Sequence, residues 1–185
     1  MPVHEWLGPA MRGLATVLMI AAVFTAAPAM ASDPCTDITP AAADYLKVNP
    51  DWTVIHPDDL TGADRLQWLR HHRGFCPGVA MVDLDGSSRP FTALGLIRRN
   101  ADLSEEKVVL VRQIPTGLEV RVLVPAERIT NPLVLYRLPR GTTKEWDSDK
   151  PVTIVHESLG VAWLEASSRQ YYWDNGAFRC VPTSD

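Results

Sequence analysis

From residue 79 to its end the chain is a succession of short apolar, β-branched runs separated by turn residues, and that series leaves few folds open. The runs at 79–82, 91–98, 107–113, 118–124, 133–138, 152–155 and 160–165 each have the length and composition of a strand. Ile114-Pro115-Thr116-Gly117 is a good hairpin connection between two of them. In the arm that follows, Leu118, Val120, Val122 and Val124 alternate with Glu119 and Arg121, which predicts one dry face and one wet face. Asn175-Gly176 lies between Tyr171-Tyr172-Trp173 and Ala177-Phe178, the preference of a tight hairpin turn that needs positive φ. Two helices are expected upstream. One spans 40–47, with Thr39 as N-cap and Pro40 at its first position. The other spans 62–71, capped by Thr61 and stopped by Gly74, with Trp68 and Leu69 turned towards a sheet. Trp52-Thr53-Val54-Ile55 adds a strand between them. Short helices followed by regularly spaced strands predict an α+β domain, mainly antiparallel β-sheet with one or two short helices near the mature N-terminus.

Residues 1–31 read as a signal peptide. Arg12 precedes an apolar run at 14–27, and Ala29-Met30-Ala31 places small residues where a signal peptidase reads. Met11 would make a tidier start than Met1. The run is too short and alanine-rich for a bilayer span, so no span is expected after cleavage. Residues 32–185 are then one domain, periplasmic or secreted. The formal net charge of −4 is modest and mixed in sign, which removes the electrostatic reason to bind nucleic acid or an anionic membrane. Export into an oxidising compartment makes Cys35, Cys76 and Cys180 disulfide candidates. Three pairings are open, a bridge involving Cys76 is preferred, and the odd cysteine is expected as a buried free thiol, with an intermolecular link as the alternative.

Asp83-Leu84-Asp85-Gly86-Ser87 is the one stretch where acids and a glycine fall at a spacing able to hold a cation. Calcium takes six to eight oxygen ligands; Asp83, Asp85 and Ser87 offer alternate positions, and Gly86 permits the bend. The alternative is a plain hairpin turn. The stretch resembles the Asp-x-Asn/Asp-Gly-Asp-Gly-x-x-Asp loops of FG-GAP-type proteins, which sit between two strands and often bind calcium. Ser87 and Ser88 stand where that pattern has Asp-Gly, and Phe91 where it has its last acidic ligand. The resemblance therefore implies calcium as a cofactor, but a weakened site. The tail, with Tyr171-Tyr172-Trp173, Gly176, Phe178 and Thr183-Ser184-Asp185, is similar to the endings of small exported bacterial proteins without an assigned activity. Some exported folds built around such turns act as inhibitors or immunity proteins against cell-wall hydrolases.

Catalytic patterns are missing from the sequence. His56, His71, His72 and His156 are scattered, with neither His-x-x-x-His nor Cys-x-x-Cys spacing. Ser158 lacks the small-residue elbow of a hydrolase nucleophile, and nothing singles out a carboxylate pair. The segment 139–151 reads as a long, polar, proline-bounded loop with Trp146 near its centre. Such loops on rigid sheets carry binding residues, and Trp and Arg are enriched at interface hot spots. Trp146, Lys144 and Arg140 are thus the partner-binding candidates, unless Trp146 folds back over a sheet edge. The other aromatics, Trp52, Trp68, Trp163 and Trp173 among them, suit the core or a sheet face. The expectation is a non-enzymatic exported protein that binds a protein partner, as an inhibitor or immunity protein against a secreted or cell-wall hydrolase. A calcium-stabilised envelope module and a hydrolase with a dispersed site are the alternatives.

Overall fold

The computed structural model describes residues 33–100, 103–128, 132–148, 150–164 and 166–184; the expected leader lies outside them. In chain order come α1 (Pro40–Lys47), β1 (Thr53–Val54), α2 (Gly62–His71), β2 (Val79–Val82), β3 (Phe91–Asn100), β4 (Leu103–Ile114) and β5 (Gly117–Arg128). They are followed by β6 (Leu133–Leu138), β7 (Gly141–Lys144), β8 (Pro151–Ile154), β9 (Ser158–Trp163), β10 (Ser167–Asp174) and β11 (Ala177–Ser184).

Two strands are apolar on both sides, and the rest of the chain covers them. β3 and β4 pair antiparallel. Ala93 and Ile97 of β3 point to one side with Val108 and Leu110 of β4, while Leu94, Leu96, Val109 and Val111 point to the other. A sheet of this kind needs a cover on each face. The first cover is a second antiparallel sheet, ordered β11-β10-β9-β6, whose Leu133, Leu135, Leu159, Val161 and Tyr171 complete one core. The second is α1, whose Ala41, Ala42 and Tyr45 join Trp52 in a smaller core. β5 lines one edge of the first sheet, and β1 and β2 share the free side of β3. The fold is predominantly antiparallel β with two short helices, so helix has a smaller share than an α+β label suggests.

Each helix is held by a few specific contacts. The Thr39 hydroxyl accepts from the Ala42 N–H at 3.3 Å and lies 2.7 Å from the Thr92 hydroxyl, which ties the start of α1 to β3. Thr61 stands at the N-cap of α2 as expected, but its hydroxyl donates to the Asp64 carboxylate instead of accepting from the backbone. Only Asp64 and Trp68, one turn apart, are buried on α2. Leu69, expected against the sheet, is exposed, because the helix rests along that single line. The dry face expected on β5 is also incomplete. Val120 and Val122 lie opposite Val111 and Val109, yet they are exposed because α1 does not reach the outermost strand.

Of the three open pairings the structure has Cys35–Cys76, with Cα atoms 4.9 Å apart, so the bridge does involve Cys76. Cys180 is free but exposed, which corrects the buried thiol: it lies opposite Tyr171 on β11, the outermost strand of its sheet. The bridge joins the N-terminal arm to the residues leading into β2 across a sequence separation of 41. Its reduction, or the double substitution Cys35→Ala/Cys76→Ala, is expected to remove about 3 kcal/mol of stability. Thermal unfolding with and without reductant reads this directly; coincident curves would contradict it.

Candidate functional site

The acidic turn forms where the sequence places it, between β2 and β3, but an arginine fills its concavity. Gly86 at φ 68° and Ser88 at φ 59° both adopt left-handed backbone. Asp83 Oδ2 accepts from the Ser88 N–H at 3.0 Å, and Asp85 Oδ1 from the Ser87 N–H at 3.2 Å, so both acids brace their own loop. Arg112 of β4 then enters. Its Nη1 lies 2.8 Å from Asp85 Oδ2 and donates to Ser87 Oγ at 3.1 Å and to the Arg89 carbonyl at 3.2 Å. Its Nε donates to Glu119 Oε2 at 2.7 Å, across the β4–β5 pair, and its guanidinium lies 3.9 Å over the Phe91 ring. Two of the three proposed calcium ligands, Asp85 and Ser87, therefore already face a fixed cation. Among the described residues, Asp83 Oδ1 is the buried side-chain oxygen left without a hydrogen-bond partner.

The titration of these groups follows from that geometry. Burial pushes the Asp85 carboxyl up, but hydrogen bonds from Ser87 and Arg112 outweigh it and hold it below its ordinary value. Glu119 is likewise raised by burial and lowered further by Arg112 and Arg121, again ending below its ordinary value. Both carboxylates contribute stability that is present at neutral pH and lost as acid protonates them.

The turn docks on the β8–β9 connection. Glu157 Oε2 accepts from the Asp83 N–H at 2.8 Å, and the His156 ring is seated on Gly86, where a side chain at residue 86 would overlap it. Asp83, Gly86, Arg140, His156 and Glu157 line an open cleft of about 320 Å³. The structure thus brings one residue from each predicted set, Asp83 and Arg140, to the same place.

The segment expected as a long loop is a β-ribbon. β7 and β8 pair from Gly141↔Ile154 to Lys144↔Pro151. Its polar Gly-Thr-Thr-Lys arm has no dry face, so alternation gave no sign of a strand. Arg140 precedes the ribbon, Lys144 ends β7, and Trp146 is in the tip. The tip is braced by Glu145 N–H to the Lys150 carbonyl at 3.1 Å and by the Ser148 hydroxyl to Glu145 Oε2 at 2.7 Å. Trp146 N–H donates to the Pro182 carbonyl of β11 at 3.1 Å, while the residue as a whole is 56% exposed. The backbone covers the sheet edge and the indole stands out from it.

One buried acid, Glu106 of β4, is not among the expected site residues. Glu106 is fully buried between the sheets; its Oε2 accepts from the Leu133 N–H at 3.1 Å and its Oε1 from the Trp163 indole N–H. The signal was there: Glu106 has the same parity as Val108 and Leu110, which face the second sheet. Burial pushes its carboxyl up to about 7, against the pull of the Leu133 and Trp163 hydrogen bonds. The folded protein therefore keeps a proton that the unfolded chain loses above its ordinary value of 4.5. Stability should fall by up to about 3 kcal/mol as pH rises from about 4.5 to about 7, then level off. Melting temperatures across that range should slope in the native chain and lie flatter in Glu106→Gln; equal slopes would refute the assignment.

Among the described residues, Asp33, Cys35 and His56 also lie close together, but the Cys35 sulfur is in the disulfide. The chain matches no family model, no curated protein and no solved structure, so its site rests on this geometry and chemistry.

Proposed function

We propose that the chain is an exported, non-enzymatic protein that binds another protein, most sharply as an inhibitor or immunity protein against a secreted or cell-wall hydrolase. The supporting observation is Trp146: a large indole held in solvent by a ribbon whose backbone is pinned to β11. An exposed aromatic on a pre-braced hairpin loses little freedom on binding, which is what an interface anchor needs. Arg140 and Lys144 on the same segment add positive charge for an acidic partner surface, and the cleft with Asp83 extends the contact region. The disulfide suits the oxidising compartment this reading requires.

The calcium-stabilised alternative is favoured by one observation, the unpaired Asp83 oxygen. Arg112 weighs against it, because calcium at Asp85 would have to displace or repel a guanidinium already hydrogen-bonded there. Calorimetric titration with calcium is expected to give no saturable heat and no shift in melting temperature. The functional test uses the oxidised chain as bait against secreted and envelope fractions, followed by activity assays of any captured hydrolase. Loss of that hydrolase's activity at equimolar bait is the expected result. Turnover of a wall polymer, lipid or peptide by the purified chain alone would overturn the proposal.

A further inference from the structure

A cavity away from the ribbon lies in a groove between α2, β2 and β6. We propose that this groove binds a small single-chain amphiphile with an anionic head, an alkyl carboxylate in its simplest form. Its volume, about 520 Å³, falls in the range of small-ligand sites. Val79, Ala80 and Met81 form one side and Leu135, Tyr136 and Arg137 the other, with Trp68 and Phe75 against them. β2 and β6 are bridged by the Leu135 N–H to the Pro77 carbonyl at 2.7 Å. Beyond β2 the Asp83 N–H binds Glu157, whose other oxygen lies 3.6 Å from Arg137 Nη1. The groove is thus flanked by two cross-links and bounded like a pocket.

Its walls are fixed before anything enters. The Trp68 indole N–H donates to the Phe75 carbonyl at 3.2 Å, and its ring stacks on His72 with centroids 4.2 Å apart. Tyr136 lies flat on Gly160, where any added Cβ would overlap the ring. Cys76, in the disulfide, sets the start of the β2 side. Phe75 and Met81 are exposed at this groove, so two large apolar side chains meet water beside an apolar cavity. The choice of head group comes from charge. The lining holds Arg137 and His72 but no carboxylate, and the loose contact with Glu157 leaves most of the five Arg137 donors for an anion. An apolar chain against Val79, Ala80 and Leu135 then places its head at Arg137.

This inference is independent of the protein-binding reading, since Trp146 is outside the groove. The test is isothermal titration of the purified, oxidised protein with hexanoate, octanoate, decanoate and dodecanoate, alongside octanol and octyltrimethylammonium. Saturable one-to-one binding is expected for the carboxylates, tightening about fourfold per added methylene until the groove is filled. The cation should not bind. Arg137→Gln should weaken octanoate about fivefold while leaving octanol unchanged. Phe75→Ala, at an exposed position, should weaken both, and Trp146→Ala should weaken neither. Non-saturable uptake, equal affinity for the cation, or an unchanged Arg137→Gln would overturn the proposal. So would sedimentation with phosphatidylglycerol vesicles without uptake of the free carboxylates, which would assign the apolar rim to a membrane surface.

Discussion

Gly78→Ala is expected to destabilise the protein by about 4 kcal/mol or more, a large part of what a single domain has. Gly78 sits where β1, β2 and β3 converge. Its N–H donates to the Ile55 carbonyl at 3.1 Å and its carbonyl accepts from the Gly95 N–H at 2.8 Å, while the Ile55 N–H reaches the Gly95 carbonyl at 2.9 Å. A Cβ there would lie 2.7 Å from both Ile55 N and Ile55 O and 2.8 Å from Gly95 O. All three are backbone atoms, so no side chain can swing aside; the strands must separate and give up hydrogen bonds worth about 1 kcal/mol each. Gly62→Ala, with nothing within 4 Å of the new Cβ, is the matched control and should change stability by no more than about 1 kcal/mol. Denaturant unfolding of the two variants decides it: similar midpoints would show that the convergence is not as tight as described.

Arg112→Met is the second substitution with a large expected effect, about 4 kcal/mol. The side chain is 11% exposed and faces Asp85 and Glu119, which are 18% and 16% exposed. Removing the guanidinium leaves Asp85 without its cation and Glu119 with only the more exposed Arg121, together with the Ser87 hydroxyl and Arg89 carbonyl that it binds. Arg112→Lys should recover only part of the loss, because Nε and Nη1 serve separate partners and an ammonium cannot reproduce that fork. The loss in Arg112→Met should shrink in acid, as Asp85 and Glu119 protonate and cease to need a partner. A stability change below about 1 kcal/mol at neutral pH, or one independent of pH, would contradict the role given to Arg112.

The arginine also shows where the sequence stops being legible. Asp85, Gly86 and Ser87 can be read as a cation-holding turn from their spacing. That the cation belongs to a side chain 25 residues beyond Ser87 depends on β4 pairing beside β3, which spacing does not record. Local signals suffice for several elements. The bounds of α1, α2, β2 and β6 agree with the expected ranges, and Asn175 and Gly176 take the positive φ that their turn requires. Each of these rests on a cap, a breaker or an apolar run within a few residues. Of the β7–β8 ribbon, β8 matches the strand expected at 152–155, while β7 carries no such signal, since an arm pinned chiefly by backbone needs no apolar face. Val120 and Val122 lie beyond the reach of α1, and an irregularity in the β4–β5 register turns Val124 into the other core, so periodicity recorded neither the missing cover nor the break in the expected face. Glu106 is the mirror case, its parity placing an acid inside. The choice among the three disulfide pairings likewise waited on the N-terminal arm meeting the start of β2.

Recognition through a rigid, exposed indole is most directly tested by the affinity of Trp146→Ala for whichever secreted or envelope protein the native chain captures. Truncating an anchor of this kind should weaken that complex about thirtyfold, with the melting temperature of the free protein unchanged. Undiminished affinity in a folded Trp146→Ala would show that the partner binds elsewhere and that the ribbon is only an edge cover.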